Sequence, residues 1–235
     1  ALVPLILAVR DARPRRALGI GLLAGAFFWI PSISWLRFVS IPGGFGLMMY
    51  CAAYVMLFAL FVSAWIRRAG THCWWMNLAA FVLLAAAWVA LEYARSVLFT
   101  GFAWNLLGSS QYRNAYLIQI ARWGGAHAVS AVVVVVNAAT ALTLIQYIER
   151  KDRWKRPHPE LVLAVLVLGA AMWDGRQCLR APEIPAQPLR VGLVQPNIPI
   201  GYYYMADRFP FIRDTLRRLS KDALRAGKMD LLIWP

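Results

Sequence analysis

The sequence WMNLAAFVLLAAAWVALEYARSVLFTGFAWNLLGSSQ spans residues 75–111 and joins a long apolar run to a polar, aromatic segment. Residues 75–91 carry no charged side chain, and the first charges are those of Glu92 and Arg95. A transmembrane helix needs about 20 mainly apolar residues. The stretch therefore predicts a membrane-spanning helix over 75–93, followed by a segment at the membrane surface.

Comparable apolar runs lie on both sides of this stretch, at residues 1–9, 17–36, 46–66, 124–147 and 160–173. Hydrophobic residues make up 60% of the 235 and charged residues 15%, whereas a soluble domain is roughly half apolar and a quarter charged. The pattern predicts a polytopic α-helical membrane domain over residues 1–175. We expect about six spans, of which the first is partial and the last is short.

The valine run 132–136 would favour a β-strand in water. An isolated strand in lipid leaves its backbone N–H and C=O groups unpaired, so a helix is expected there. Asn137 follows this run in mid-span. It is expected to hydrogen-bond a neighbouring helix, and a direct role in a site is the alternative.

The formal net charge of +14 comes largely from basic residues in the gaps between apolar runs. The strongly basic gaps are 10–16, 67–68 and 150–156. They alternate with a gap that holds only Arg37 and a longer gap over which Arg95, Arg113 and Arg122 are spread. Arginine and lysine concentrate in cytoplasmic loops. Residues after about 174 are therefore expected on the periplasmic side of a bacterial inner (cytoplasmic) membrane. Because the charges do not form one polar face, nucleic acid is not expected as a partner.

The cysteines and histidines are scattered and show no metal-ligand spacing: Cys51, Cys73, Cys178, His72, His127 and His158. We expect no metal and no cofactor, and Cys51 is expected to act as a small hydrophobic residue. The chain begins at Ala1 inside an apolar run, without the charged region and cleavage site of a signal peptide. A truncated N-terminus is therefore expected.

The composition changes after the last apolar run. Residues 176–188 are predicted to form a Pro-containing linker, and residues 189–194 (LRVGLV) a short buried strand. Residues 206–226 have apolar side chains at helical spacing, and 230–234 (DLLIW) are a second short apolar run. Strand, helix and strand in this order predict a βαβ unit with parallel strands. About 47 residues cannot bury a competent core alone, so 189–235 is expected to be the first part of a larger α/β domain.

Several polar residues follow the helix predicted over 75–93. Glu92 and Arg95 share a helix face at i and i+3 and are expected to pair. The pair either only anchors the helix end or marks a site. Thr100, Gly101 and Trp104 belong to a predicted turn at headgroup depth, either as an interfacial anchor or as a wall of a lipid-entry groove.

A second polar group, Gln195 and Asn197, follows the first predicted strand. Side chains at the carboxyl end of a strand line the usual ligand crevice of an α/β sheet. Tyr202, Tyr203 and Tyr204 come next, and they either dip into lipid headgroups or belong to a packed loop.

Three segments of the chain resemble apolipoprotein N-acyltransferases in order and spacing. They are SISWLRFVSIPGGFG at 32–46, EYARSVLFTGFAWNLLGSSQ at 92–111, and LRVGLVQPNIP at 189–199 followed by DLLIWP at 230–235. The middle segment is similar to the family's E-x-x-R…T-G-F-P-W…G-Y-S-Q run, with Ala103 and Ser109 in place of Pro and Tyr. The resemblance implies that the membrane domain is followed by the start of a nitrilase-like domain, an α-β-β-α sandwich.

The resemblance also implies a reaction. The family transfers an acyl chain from a phospholipid to the N-terminal diacylglyceryl-cysteine of an apolipoprotein, through a cysteine thioester and a Glu–Lys–Cys triad. The family's Glu follows a Trp-Pro dipeptide, here Trp234 and Pro235, so the whole triad is expected beyond Pro235. None of the three cysteines matches the nucleophile, and the chain is expected to be inactive alone. The implied partners are the phospholipid donor, the apolipoprotein acceptor and the membrane.

Carried over residue by residue, the resemblance implies two sets of site residues. Substrate contacts are expected at Trp104, Gln111, Gln195, Asn197 and Tyr204. Residues that support the site are expected at Glu92, Arg95, Thr100, Gly101 and Trp234. The family pattern has Gln, Lys and Trp where this chain has Ile200, Tyr203 and Tyr204.

Two other classes of protein remain as alternatives at this stage. One is another membrane-tethered enzyme of the carbon–nitrogen hydrolase type, or a partner domain of a polyprenol-sugar synthase. The other is a non-enzymatic transporter or scaffold. A transporter is typically built from internal repeats with broken or charged helices in mid-membrane, and this sequence has no evident repeat.

Overall fold

The computed structural model describes residues 2–69, 74–149, 158–180 and 188–235. The chain divides into two compact units, one ending at residue 181 and the other beginning at residue 182. Cys73, His72, the basic gap at 150–156 and most of the predicted linker lie outside the described residues.

The first unit is a bundle of helices. Their bounds are α1 Val3–Val9, α2 Pro14–Ser32, α3 Ile41–Ala69, α4 Trp74–Val97, α5 Ala121–Glu149 and α6 Pro159–Arg180. The valine run lies within α5, as predicted. Helix α6 continues seven residues past the predicted end of its apolar run, so the predicted linker 176–188 begins inside a helix.

Four helical segments among the described residues are long and apolar enough to cross a membrane: Ile41–Arg68, Met76–Thr100, Leu117–Glu149 and Pro159–Arg180. Four of the six predicted spans are thus supported by length and composition. The predicted spans over 1–9 and 17–36 are not among these four. Helix α1 has only 7 residues, and α2 carries Arg15 and Arg16 in its first turn.

Proline and glycine set several of the helix boundaries. Helix α2 begins at Pro14, directly after an extended Arg13, because the fixed φ of proline suits the first helical position. The backbone of α5 is interrupted at Gly124 and Gly125, where Gly125 has φ 62° and ψ −161°. The regular part of α5 therefore starts after these glycines, close to the predicted start at 124.

Helix α5 packs against α1, α4 and α6 and forms the centre of the first unit. Its side chains Val134, Leu142 and Ile145 are fully or almost fully buried. Asn137 lies on this helix, and its Oδ1 accepts a hydrogen bond of 2.9 Å from the backbone N–H of Leu2, at the start of α1. The predicted bond to a neighbouring helix is confirmed. Cys51 is buried in an apolar cluster, which confirms its predicted character.

Helices α2 and α3 approach each other closely at two glycines of α2. A Cβ placed on Gly21 would lie 2.6 Å from Cβ of Ala59, and one placed on Gly25 would lie 2.8 Å from Cα of Ala52. Side chains at these two positions would force the helices apart, so the contact depends on backbone packing through small residues.

The second unit contains the predicted βαβ arrangement. Its elements are β1 Val191–Leu193, α7 Phe209–Ala226 and β2 Leu231–Ile233, and the two strands pair in parallel with Val191 opposite Leu231. The prediction that the first strand is buried is wrong, because Leu193 is 76% exposed in this unit. A two-stranded sheet with one helix has only one face covered, so alternate side chains of the strand stay accessible.

We expect Gly25→Val to destabilise the first unit, because the added side chain would collide with the backbone of α3 at Ala52. Overpacking of this kind costs about 1–3 kcal/mol. Thermal unfolding in detergent should show a lower melting temperature for this variant. Gly19→Val is the matched control, since a Cβ at Gly19 has nothing within 4 Å. Equal melting temperatures for the two variants would contradict the close contact.

Candidate functional site

The polypeptide turns sharply where α4 ends. Phe99, Thr100 and Gly101 have φ values of 50°, 78° and 77°. Left-handed backbone is unusual for a β-branched residue such as Thr100 and stores local strain. A Cβ on Gly101 would collide with the carbonyl oxygen of Ser96. Glycine is therefore required here, and the strained turn brings the following loop back over the end of α4.

Arg95 holds this loop in place. Its guanidinium Nη1 donates hydrogen bonds of 2.6 Å to the carbonyl oxygen of Phe102 and 2.8 Å to that of Trp104. The guanidinium also lies 4.9 Å from the ring centre of Trp29 on α2, a cation–π contact. Arg95 is only 3% exposed, so its charge is compensated by backbone carbonyls and an aromatic face.

Glu92 holds a second part of the same loop. Its Oε1 accepts a hydrogen bond of 2.6 Å from the backbone N–H of Leu107. Glu92 is 5% exposed, and its Oε2 is buried without a partner among the described residues. The predicted ion pair between Glu92 and Arg95 is wrong. Buried backbone groups of the loop need hydrogen-bond partners. Glu92 and Arg95 therefore each bind the loop and do not bind each other.

Aromatic residues surround the clasped loop. Trp104 is 51% exposed; its ring centre lies 5.9 Å from that of Trp35 and 6.3 Å from that of Phe102. The hydroxyl of Tyr50 on α3 donates toward the carbonyl oxygens of Arg95 and Leu98, at 3.3 and 3.1 Å. The loop is thus fastened to α2, α3 and α4, with Trp104 partly accessible.

Part of the loop lines a pocket of about 730 Å³ in the first unit. Glu92, Arg95 and Gln111 line this pocket, together with residues from α1, α2, α3 and α5. Gln111 ends a short 3-10 helix, Leu107–Gln111, and its amide donates a 3.1 Å hydrogen bond to Oγ of Ser110. Trp104, Thr100 and Gly101 are not among the lining residues. The structure therefore brings together only part of the predicted first-unit set.

Several pocket residues had no signal in the sequence. Trp29, Cys51, Trp88 and Asn105 line the pocket, yet Trp29, Cys51 and Trp88 look like ordinary apolar residues of a span. Asn105 has φ 49°, and an asparagine in a left-handed turn has no distinctive spacing. Only the packing of helices far apart in sequence places these side chains around one cavity.

Two of the predicted residues in the second unit lie at one edge of its sheet. Gln195 and Trp234 follow β1 and β2, whose carboxyl ends lie at the same edge because the strands are parallel. The indole Nε1 of Trp234 donates a 2.9 Å hydrogen bond to Oγ of Ser220 on α7. Asn197 has φ 51°, which turns the chain after the strand. Tyr204 is 84% exposed at the end of the 3-10 helix Ile200–Tyr204.

The sequence profile of the apolipoprotein N-acyltransferase N-terminal domain matches residues 1–139. The chain belongs to the apolipoprotein N-acyltransferase family. The polar residues Glu92, Arg95 and Gln111, which the loop brings to the pocket, lie within the matched region.

Curated members of the apolipoprotein N-acyltransferase family align with the whole chain or nearly all of it. The apolipoprotein N-acyltransferase of Geobacter metallireducens is 31% identical over 245 aligned positions, covering 100% of this chain and 45% of that protein. The enzyme of Azotobacter vinelandii is 32% identical, with 100% of this chain and 45% of that protein covered. That of Agrobacterium fabrum is 30% identical, with coverages of 93% and 41%. The chain thus spans less than half the length of these relatives.

Family membership and the four apolar helical segments agree with each other. The chain is a multi-pass membrane protein, and the predicted fold class is confirmed. A helical membrane unit is followed by a small unit with a parallel sheet.

We expect Arg95→Ala to open the loop after α4, because the carbonyl oxygens of Phe102 and Trp104 lose their buried donor. Hydrogen bonds to charged groups contribute about 1.5–3 kcal/mol each, so a loss of about 3 kcal/mol is expected. The measurements are thermal unfolding and limited proteolysis between residues 98 and 112.

Arg113→Ala is the control for this substitution. Arg113 is an exposed arginine of the same connecting segment. Its guanidinium carbon lies 5.4 Å from the ring centre of Tyr112. Exposed substitutions of this kind usually change stability by no more than about 0.5 kcal/mol. Equal protease sensitivity of the two variants would show that Arg95 does not hold the loop.

Proposed function

We propose that this chain is the membrane part, and the start of the soluble part, of an enzyme that acylates the N-terminal amine of a diacylglyceryl apolipoprotein with a chain from a phospholipid. The single observation that carries the proposal is the family match over residues 1–139. Alignment of the whole chain with proteins named apolipoprotein N-acyltransferase supports it.

The proposed chemistry has two stages. A cysteine thiolate attacks the ester carbonyl of the phospholipid, and the lysophospholipid leaves with a proton while a thioester forms. The amine of the lipoprotein then attacks the thioester, and the thiol is regenerated. A Glu acts as base in both stages, and a Lys stabilises the oxyanion. We infer that these three residues follow Pro235, so the 235-residue chain does not catalyse acyl transfer by itself.

In this proposal, residues 2–235 keep the site in contact with the bilayer and with the acyl chain of the phospholipid donor. Each buried CH₂ of an acyl chain contributes about 0.8 kcal/mol to membrane binding, so a site that drew the chain fully into water would forfeit this stabilisation. The loop clasped by Glu92 and Arg95 keeps the half-exposed Trp104 beside other aromatic residues, which suits a surface that meets lipid. Tyr204, Gln195 and Asn197 are proposed as substrate contacts in the second unit.

The proposed location is the bacterial inner membrane, with residues after about 174 in the periplasm. The basic residues at the start of α2 and at the end of α3 support it, because such residues concentrate on the cytoplasmic side. Acyl transfer from outer-leaflet phospholipid to an exported lipoprotein requires the soluble unit on that side.

The test of function is thioester formation by the full-length product of the gene in nanodiscs with a radiolabelled phospholipid. We expect label on the protein that resists denaturation and is released by neutral hydroxylamine, because thioesters are cleaved under those conditions. The 235-residue chain serves as the matched negative control. An unlabelled full-length protein that is folded by near-ultraviolet circular dichroism would refute the proposal.

The test of topology is a pair of reporter fusions in a two-membrane bacterium. Alkaline phosphatase fused after Arg190 should be active, because that enzyme gains its disulfides only in the oxidising periplasm. The same reporter fused after Arg68, at the end of α3, should be inactive. The reverse pattern of activities would place the second unit in the cytoplasm and rule out outer-leaflet acyl transfer.

A further inference from the structure

The two sides of helix α7 in the second unit differ in burial and in charge. Ile212 is 7% exposed, Leu216 is half-buried, and Ser220 accepts the hydrogen bond from the indole of Trp234. These three positions share one side of a helix with 3.6 residues per turn. The opposite side is exposed and carries four basic residues, which we call the basic face of α7: Arg217, Arg218, Lys221 and Arg225.

Most of the charge on the basic face of α7 is not neutralised within the part of the chain that the structure describes. Arg225 lies 3.7 Å from the carboxylate of Asp222. Asp214, the acidic residue on this side of the helix, lies 3.3 Å from Arg213. The other three basic residues have no carboxylate oxygen of a described residue within 4 Å: Arg217, Arg218 and Lys221. Because arginine and lysine are charged at neutral pH, this side of α7 has an excess of positive charge.

An exposed aromatic side chain lies on the same side of α7, near its N-terminus. Phe211 is 51% exposed and precedes Arg218 by about two helical turns. Its ring centre lies 6.0 Å from that of Tyr202. Basic residues combined with accessible aromatic ones are typical of segments that lie at a membrane surface. The composition of this side therefore favours a lipid surface over a polyanion that has no apolar part.

The chain itself keeps α7 within reach of a bilayer. Helix α6 is one of the segments that are long and apolar enough to cross a membrane, and it ends at Arg180. Helix α7 begins at Phe209, so even fully extended residues 181–208 separate the two helix ends by no more than about 100 Å. Tethering of this kind gives lipid a high effective concentration around α7, whereas an acidic protein would have to be recruited from solution.

We propose that the basic face of α7 binds the headgroups of anionic phospholipids at the membrane surface. Arg217, Arg218 and Lys221 bind headgroup phosphates, and Phe211 lies among the headgroups. The contact is electrostatic and makes or breaks no covalent bond. It goes beyond the proposed acyl transfer, because it concerns an outer surface of α7 and uses none of the residues that carry out the reaction.

The test is chemical labelling of Lys221 in the full-length product of the gene, embedded in nanodiscs of phosphatidylcholine with or without phosphatidylglycerol. Acetylation by the membrane-impermeant N-hydroxysulfosuccinimidyl acetate is followed by mass spectrometry. We expect Lys221 to react at least about threefold more slowly in the discs with phosphatidylglycerol, because anionic lipids attract and cover basic side chains. Sodium chloride at about 0.5 M should remove the difference, because salt screens the attraction.

Two double variants separate binding at this face from a general effect of charge. The first, Arg217→Gln with Arg218→Gln, removes two charges from the basic face of α7 and should give equal rates at Lys221 in both kinds of disc. The matched control, Arg190→Gln with Arg208→Gln, removes two charges that precede β1 and α7 and lie outside this face. The control should keep the threefold difference. Simple repulsion between the anionic reagent and the anionic discs would affect both variants alike.

Melting temperatures close to that of the parent establish that each variant is folded, and the salt dependence of the parent decides if a variant does not fold. Equal rates for the parent in the two kinds of disc would overturn the proposal, as would equal behaviour of the two variants. Slow, salt-insensitive labelling in both kinds of disc would also overturn it, since protein would then cover the face.

A further arm distinguishes a lipid surface from an isolated phosphate. Glycerol 3-phosphate added to the phosphatidylcholine discs should leave the rate at Lys221 unchanged, because the proposed contact needs an array of headgroups. Protection by this small anion alone would contradict the proposal. None of these measurements uses thioester formation, so failure of this proposal is distinct from failure of the proposed function.

Discussion

The structure of the region after α4 depends on the contacts of one buried group, the guanidinium of Arg95. A charge that is 3% exposed inside a membrane protein must be compensated, and here two backbone carbonyls and the ring of Trp29 compensate it. The carbonyls can reach Arg95 only if the chain reverses at once after the helix. The left-handed residues Thr100 and Gly101 provide that reversal. The geometry of the loop and the position of Trp104 follow from it.

Glu92 shows why two charges at helical spacing do not have to pair. The i and i+3 pattern predicts an ion pair between Glu92 and Arg95. In the structure each side chain instead binds backbone groups of the loop. Arg95 donates to carbonyl oxygens, one of them that of Trp104, and Glu92 accepts from the N–H of Leu107. Backbone groups buried beside a membrane have no water to bind, so they take the charged partners that the helix offers. This competition depends on the loop conformation, and spacing along one helix contains no information about it.

The fold itself was largely predictable, for physical reasons that differ between the two units. In lipid, apolar composition over about 20 residues suffices to indicate a helix, so α3 to α6 could be located. The apolar run 17–36 also located most of α2, at Pro14–Ser32. Its close packing on α3 through Gly21 and Gly25 was not predicted, because that contact depends on the tertiary structure. The parallel βαβ unit followed from the order of short runs. The exposure of Leu193 did not, because burial depends on what covers each face of the sheet.

The sequence by itself determined the class of protein. Its evidence was local: apolar runs for the membrane helices, short runs for the parallel strand pair, and the motifs around Glu92, Arg95 and Gln195. Lipid and backbone geometry constrain such local patterns directly. Only the tertiary structure decided which side chains share a cavity. Trp29, Trp88 and Asn105 come from three separate elements, and they line one pocket because of helix packing and a strained turn. Those are non-local properties, because the free energy of a buried polar group depends on partners that are distant in sequence.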